Sequence, residues 1–171
     1  MTRGFHELEL GDSIEFRGPV GSFEYIGAGV TKHRSGQGVV RKFGLICGGS
    51  GITPILQVLR GILHDEKDQI AEVWVLNSNK TYEDILCREE LHLLEEQHRG
   101  RFRLHHTLSD TPANWSFSKG RITDAMLREH LPAPAEDALL AICGPDAMIQ
   151  QTVKPGLSRL GWDVERQLHI F

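Results

Sequence analysis

The sequence predicts an α/β domain built on a doubly wound, mostly parallel sheet, with a short antiparallel β piece at its N-terminus. Three observations carry this. From residue 43 onward, apolar runs of strand length alternate with segments of helical periodicity. Before residue 30, short alternating segments are broken by Gly and Pro. Two tight turns, Gly48-Gly49-Ser50-Gly51-Ile52-Thr53-Pro54 and Cys143-Gly144-Pro145, each leave an apolar run and enter a segment that can be helical. Both turns then lie at carboxyl ends of strands, where open α/β sheets bind ligands.

The N-terminal stretch reads as strands and turns. Leu8-Glu9-Leu10 leads into the turn signal Gly11-Asp12-Ser13. Ile14-Glu15-Phe16 alternates until Arg17-Gly18-Pro19, and Phe23-Glu24-Tyr25-Ile26 alternates until Gly27 and Gly29. Two such strands do not form a stable barrel alone. They are expected to be part of an antiparallel sheet or barrel, either as an extension packed on the main domain or as the end of a domain whose beginning is missing. Gly36 and Gly38, with Lys32, Arg34, Arg41 and Lys42, mark a polar connection. The expected division is 1–41 for the barrel remnant and linker, and 42–171 for the α/β domain.

The α/β elements follow in order. Phe43 to Cys47 is a strand, and Thr53 to Leu63 a helix with Ile55, Leu56, Leu59, Ile62 and Leu63 on its apolar face. Val73 to Leu76 is the second strand and Glu83 to Gln97 the second helix. Phe102 to Leu108 is the third strand, followed by an irregular loop from Ser109 to Lys119. Thr123 is placed to cap a short helix reaching His130. Ala138 to Cys143 is the fourth strand, Asp146 to Leu160 the last helix, and Gln167 to Ile170 a final strand. Such alternation implies right-handed crossovers and a sheet covered on both faces.

Composition narrows the function. A net charge of −4 over 171 residues argues against a general nucleic-acid surface. No apolar stretch is long enough to span a bilayer, and the start is no signal peptide. Three cysteines (Cys47, Cys87, Cys143) without CxxC spacing argue against a disulfide framework or a zinc site. They favour a reducing compartment, hence a cytoplasmic expectation. Nine histidines show no metal-binding spacing, and His105 and His106 are expected on opposite faces of a strand. The run Asp65-Glu66-Lys67-Asp68 reads as a solvated loop, and Trp74 and Trp162 as packing residues.

The two turns carry the chemistry. Glycines 48, 49 and 51 let backbone amides approach a ligand. Thr53 is expected as helix N-cap, with Pro54 at the first helical position. Free amides at that helix end attract an anion, most naturally a phosphate or pyrophosphate. The third glycine of GxGxxG is missing, since Pro54 stands there, and no P-loop lysine follows. The turn could also be only a tight strand–helix turn. The thiol of Cys143 could contact a flat ring, or be a small buried hydrophobe.

In this order the pieces resemble the pyridine-nucleotide-binding half of the ferredoxin–NADP reductase superfamily, closest to its cytochrome b5 reductase branch. The residues are Gly11-Asp12-Ser13-Ile14-Glu15-Phe16-Arg17-Gly18-Pro19, the GGSGITP turn, Asn77 to Leu86, Arg88-Glu89-Glu90-Leu91, Cys143-Gly144-Pro145 and the terminal Phe171. Arg41-Lys42-Phe43-Gly44 and Gly161-Trp162 look more like the reductase part of fungal-type assimilatory nitrate reductases. The resemblance implies hydride transfer from NAD(P)H to FAD, then electrons to a cytochrome b5-like haem domain. It implies that FAD is held mostly by a barrel preceding this chain, so that the chain alone binds nucleotide without turnover. It places Gly48, Gly49, Ser50, Gly51 and Thr53 around the pyrophosphate and nicotinamide, with Thr53 near the flavin. It places Cys143 beside the nicotinamide as the residue positioning it for hydride transfer, with Gly144, Pro145 and Met148 shaping that wall. Asn77 is implied in the nucleotide site, and Phe171 near the flavin ring. Asp146 stands where relatives often carry a second proline.

The choice of nucleotide turns on the ribose. NADH-preferring relatives carry an Asp directly after the Thr-Leu that ends the third strand. Here Thr107-Leu108 is followed by Ser109, and Asp110 comes one residue later. A hydroxyl removes the repulsion of a 2′-phosphate, and Lys80 supplies positive charge. The expectation is therefore NADPH, with NADH the alternative through Asp110. A cytochrome b5 reductase-type fragment, a nucleotide-binding module without catalysis, and a structural domain remain the other readings.

Overall fold

The computed structural model describes residues 8–15, 17–18, 21–34, 36–64 and 72–171. The Asp65–Asp68 run, Phe16 and Pro19 lie outside them.

Three short strands come first: β1 (Glu24–Gly27), β2 (Val30–His33) and β3 (Gly36–Val39). They form an antiparallel sheet in the order β1-β2-β3. The alternation at Phe23–Ile26 correctly marks β1. Ile14 and Glu15, expected in a strand, are exposed and irregular. The stretch read as a polar connection instead supplies β2 and β3. Its periodicity was hidden because β3 exposes all four of its residues.

The main sheet has six parallel strands: β4 (Lys42–Gly48), β5 (Glu72–Asn79), β6 (Phe102–Leu108), β7 (Ser118–Lys119), β8 (Ala138–Cys143) and β9 (Leu168–Ile170). Their order is β7-β6-β5-β4-β8-β9. The chain moves outward from β4 through β5 and β6, then returns to β4's other side with β8. The order thus reverses between β4 and β8, and Cys47 pairs with Cys143 across that crevice. This is a topological switch point.

Helices cover both faces. On one side α1 (Ile52–His64) and α2 (Arg88–Gln97) bury Ile55, Leu59, Ile62, Leu91 and Leu94 against Phe43, Leu45, Val73, Val75 and Leu104. On the other, α3 (Asp124–Glu129) and α4 (Lys154–Arg159) bury Leu127 and Leu157 against Ile46, Leu76, Leu140 and Ile142. A π-helical turn, Met148–Val153, leads into α4. Pro155 lacks the N–H that an α-turn would need there, which accounts for the widening. Tyr25 packs edge-on against Phe43 with ring centroids 6.3 Å apart, joining the small sheet to the core.

Two helix starts differ from expectation. A 3-10 turn, Gly49–Gly51, begins the helical path early, and α1 starts at Ile52. Thr53 is therefore not the N-cap: its hydroxyl donates to the Ser50 carbonyl at 3.1 Å. The second helix begins at Arg88, since Cys87 takes a left-handed φ of 54°. Thr123 does cap α3, accepting from the Met126 amide at 3.3 Å.

Candidate nucleotide cleft

A cavity of about 660 Å³ opens at the carboxyl edge of the parallel sheet. The turn after β4 contributes Gly48, Gly49 and Ser50, and the turn after β8 contributes Pro145 and Met148. Opposite them stand Lys80, beyond β5, and Ser109, beyond β6. Seven expected site residues thus converge on one cleft. Its volume is within the range of small-molecule and cofactor sites.

The glycines at the switch point separate into two roles. Gly51 is buried, and a Cβ there would run into the Cys143 carbonyl. A Cβ on Gly48 would come within 3.0 Å of both Met148 Sδ and Pro145 Cδ, and one on Gly144 within 2.6 Å of Met148 Cε. These three let the β4 and β8 turns pack backbone against backbone. Gly49 differs: its φ is +55° and the space beside it is open. Its amide and that of Ser50 sit at the start of a helical path, where free N–H groups attract anions.

The other expected residues occupy different places. Cys143 is half-buried behind the turn, and burial raises its thiol pKa. Such a thiol is neutral and suited to apolar contact rather than nucleophilic attack. Cys47 is fully buried, its pKa raised by burial and then by Cys143. Its thiol donates to Asn77 Oδ1 at 3.3 Å. Asn77 is 1% exposed and lies beneath the cleft rather than on its wall. Its Oδ1 also accepts from Asn79 Nδ2 at 2.8 Å. Thr53 is exposed outside the cleft lining. Asp110 is exposed too, and its amide donates to the Lys80 carbonyl at 2.8 Å. That bond ties the two loops together and leaves Ser109, not Asp110, on the wall. Phe171 closes β9, its amide donating to the Ile142 carbonyl at 3.0 Å. Its ring packs with Phe23 and His169 at 5.5 and 4.8 Å between centroids.

Sequence reasoning missed Arg121, which lines the cleft with Ser109 and Lys80. Twelve positions separate it from Ser109, so no local motif joins them. The fold does: β7 pairs with the end of β6, and the Gly120 amide donates to the Leu108 carbonyl at 2.7 Å. The only sequence hint is Gly120, whose φ of +90° allows the turn into Arg121. Two cations and a hydroxyl at this end, balanced by Glu83 and Asp84, make it the polar half of the cleft. Asp84 is partly engaged, accepting from the Thr81 amide at 2.9 Å.

Among the described residues no helix is long and apolar enough to cross a membrane.

Comparisons with known proteins agree with this geometry. A family profile described as "Oxidoreductase NAD-binding domain" matches residues 45–154. NADH-cytochrome b5 reductase 1 of Bos taurus is 43% identical over 168 residues, covering 95% of this chain and 55% of the relative. The nitrate reductase [NADH] of Spinacia oleracea is 38% identical over 171 residues, covering 100% of this chain and 18% of that protein. The crystal structure of the cytochrome b5 reductase domain of Ulva prolifera nitrate reductase superposes with a TM-score of 0.91 at 31% identity. It covers 99% of this chain and 64% of that one. The chain thus spans about half the length of the cytochrome b5 reductases it matches. With a profile match over most of the parallel sheet and a full-length structural likeness, the chain belongs to the oxidoreductase NAD-binding domains of the cytochrome b5 reductase and ferredoxin–NADP reductase superfamily.

Proposed function

We propose that this chain is the NADPH-binding part of a flavin-dependent reductase. The observation that carries this is the cleft itself. An anion-attracting turn at Gly49-Ser50 and an uncharged wall of Pro145, Ala147 and Met148 line the same cavity as Lys80, Ser109 and Arg121. An extended dinucleotide would run between them, its pyrophosphate at the turn, its nicotinamide toward Cys143 and its ribose phosphate toward Arg121. An arginine with a neighbouring hydroxyl recognises a phosphate by charge-assisted hydrogen bonds. Ser109 takes the place where a carboxylate would repel the 2′-phosphate.

The same reading gives the remaining residues their roles. Cys143 supports the nicotinamide through its uncharged sulfur, and Gly51 and Gly144 keep that wall close to the pyrophosphate turn. Thr53 and Phe171 face the partner that accepts the hydride, which is FAD held by another part of the protein. A haem domain would receive electrons from it, in a nitrate reductase or a cytochrome b5 reductase. The N-terminal boundary near residue 41 separates the antiparallel piece from the nucleotide domain. The cytoplasmic location expected from the free cysteines fits this role.

NADH is the second reading, favoured by the relatives named as NADH enzymes. Titration of the chain with each nucleotide decides between them. Ser109→Asp should weaken NADPH binding and leave or improve NADH binding; equal affinities before and after would remove the assignment.

A further inference from the structure

The loop between Ser109 and Arg121 is folded on an aromatic and imidazole anchor that the cleft itself does not use. Trp115 lies 6.3 Å from His106 and 5.2 Å from Phe117, centroid to centroid. Phe117 meets His106 edge-on at 5.2 Å and His92 at 6.3 Å. The indole N–H of Trp115 donates to the Ser118 carbonyl at 2.7 Å. His105 Nε2 and the Ser118 hydroxyl are 2.8 Å apart. Thr107 donates to the Gly120 carbonyl at 2.8 Å. These contacts seat β7 beside β6, so the loop leaves at Leu108 and returns at Lys119, its register partner. Ser109 opens that loop and Arg121 follows Gly120 just beyond its closure, and both reach the cleft.

We propose that the Trp115–Phe117 segment, docked on His92 and His106, is a positioning device that holds Ser109 and Arg121 together and so sets the preference for NADPH over NADH. This rests on the reading of the cleft given above. The anchor is sensitive to charge. His106 is fully buried, and neither ring nitrogen has a hydrogen-bond partner. The groups facing it are His92 and Arg88 from α2, Asn77 from β5 and the rings of Trp115 and Phe117, while His105 lies on the opposite face of the strand and acts through its charge. None of these is an acid, so nothing compensates a proton on the ring. Burial first, then His92, His105 and Arg88, lower its pKa to about 4. Protonation is therefore disfavoured while Trp115 and Phe117 cover the ring.

The test is calorimetric titration of the chain with NADP+ and NAD+, which survive acid, at about pH 7.5 and about pH 4, where the His106 ring takes up a proton. The wild-type chain should prefer NADP+. Trp115→Ala should weaken NADP+ binding ~10-fold while NAD+ changes less than about twofold, because only the 2′-phosphate contacts lose their spacing. Trp115→Phe should recover part of the preference. His106→Leu should keep the preference at the higher pH and lose less of it at the lower pH than wild type does. The ligand's own 2′-phosphate titration is common to both proteins and cancels. Should Trp115→Ala fail to fold, the His106→Leu pH arm decides alone. A preference unchanged in Trp115→Ala, or both nucleotides weakened in parallel, overturns the positioning role. So do identical pH profiles for wild type and His106→Leu. A wild-type ratio near one removes the functional reading and this device with it.

Discussion

The two ends of the cleft are made differently. At the switch point, backbone meets backbone: Gly51 against the Cys143 carbonyl and Gly144 against Gly48, with the Met148 side chain packed over both Gly48 and Gly144. At the other end, three side chains from three separate loops, Lys80, Ser109 and Arg121, converge on the cavity. The first arrangement is shared by every ligand with a pyrophosphate, because main-chain amides recognise any such anion. The second can be changed residue by residue without touching the sheet. Generic binding is therefore written into the fold, and selectivity into exchangeable side chains.

That contrast can be broken from either end. The largest effect is expected from Gly51→Ala. The added methyl collides with main chain, which has no rotamer to escape into, so a loss of about 3 kcal/mol is expected. Thermal denaturation checks it; an unchanged midpoint would show that the turns can separate freely. At the opposite end, Arg121→Ala should leave the melting temperature within about 1 °C, because an exposed side chain away from the core contributes little. It should weaken NADPH binding by roughly 10- to 100-fold, the loss of one charge-assisted phosphate contact. Equal loss for NADH would place Arg121 at the pyrophosphate instead.

Acid sharpens the comparison because the two imidazoles lowered furthest among the described residues, His105 and His106, lie on β6 toward the ribose end. His105 and His106 are both lowered to about 4, chiefly by burial. Below the ordinary histidine pKa of about 6.5 the unfolded chain binds protons that the folded one refuses. Stability should thus be lost as pH falls from about 6.5 toward 4, mostly through the buried His106 and less through the half-exposed His105, whose charge water screens. Melting temperatures between pH 4 and 8 test this, and His106→Leu should flatten part of the fall. The smallest effect is expected at Cys87, whose left-handed φ of 54° is strained for a side chain. Cys87→Gly should raise stability by about 0.5–1 kcal/mol without changing nucleotide affinity. A lower midpoint would mean that the thiol contributes packing outweighing the strain.

The backbone-built end was legible in the sequence, because glycines and short apolar runs announce turns and buried strands. The strands at Phe102–Leu108 and Ala138–Cys143 match their expected bounds. The small sheet was only partly legible. Its β3 is Gly-rich and exposed, so it has no alternation to read. Thr53 misled because the 3-10 turn preceding it depends on Gly51 packing against a strand ninety residues away. Arg121 was invisible for a related reason. Its approach to Ser109 depends on a two-residue strand, β7, whose pairing is tertiary and whose length is too short for periodicity.

The most direct measurement is the affinity of this chain for NADPH and for NADH under identical conditions. The account predicts that both bind, NADPH more tightly, and that Ser109→Asp reverses the order. Binding of neither would contradict the cleft assignment. A preference for NADH that Ser109→Asp and Arg121→Ala leave untouched would contradict the claim that these side chains select the nucleotide.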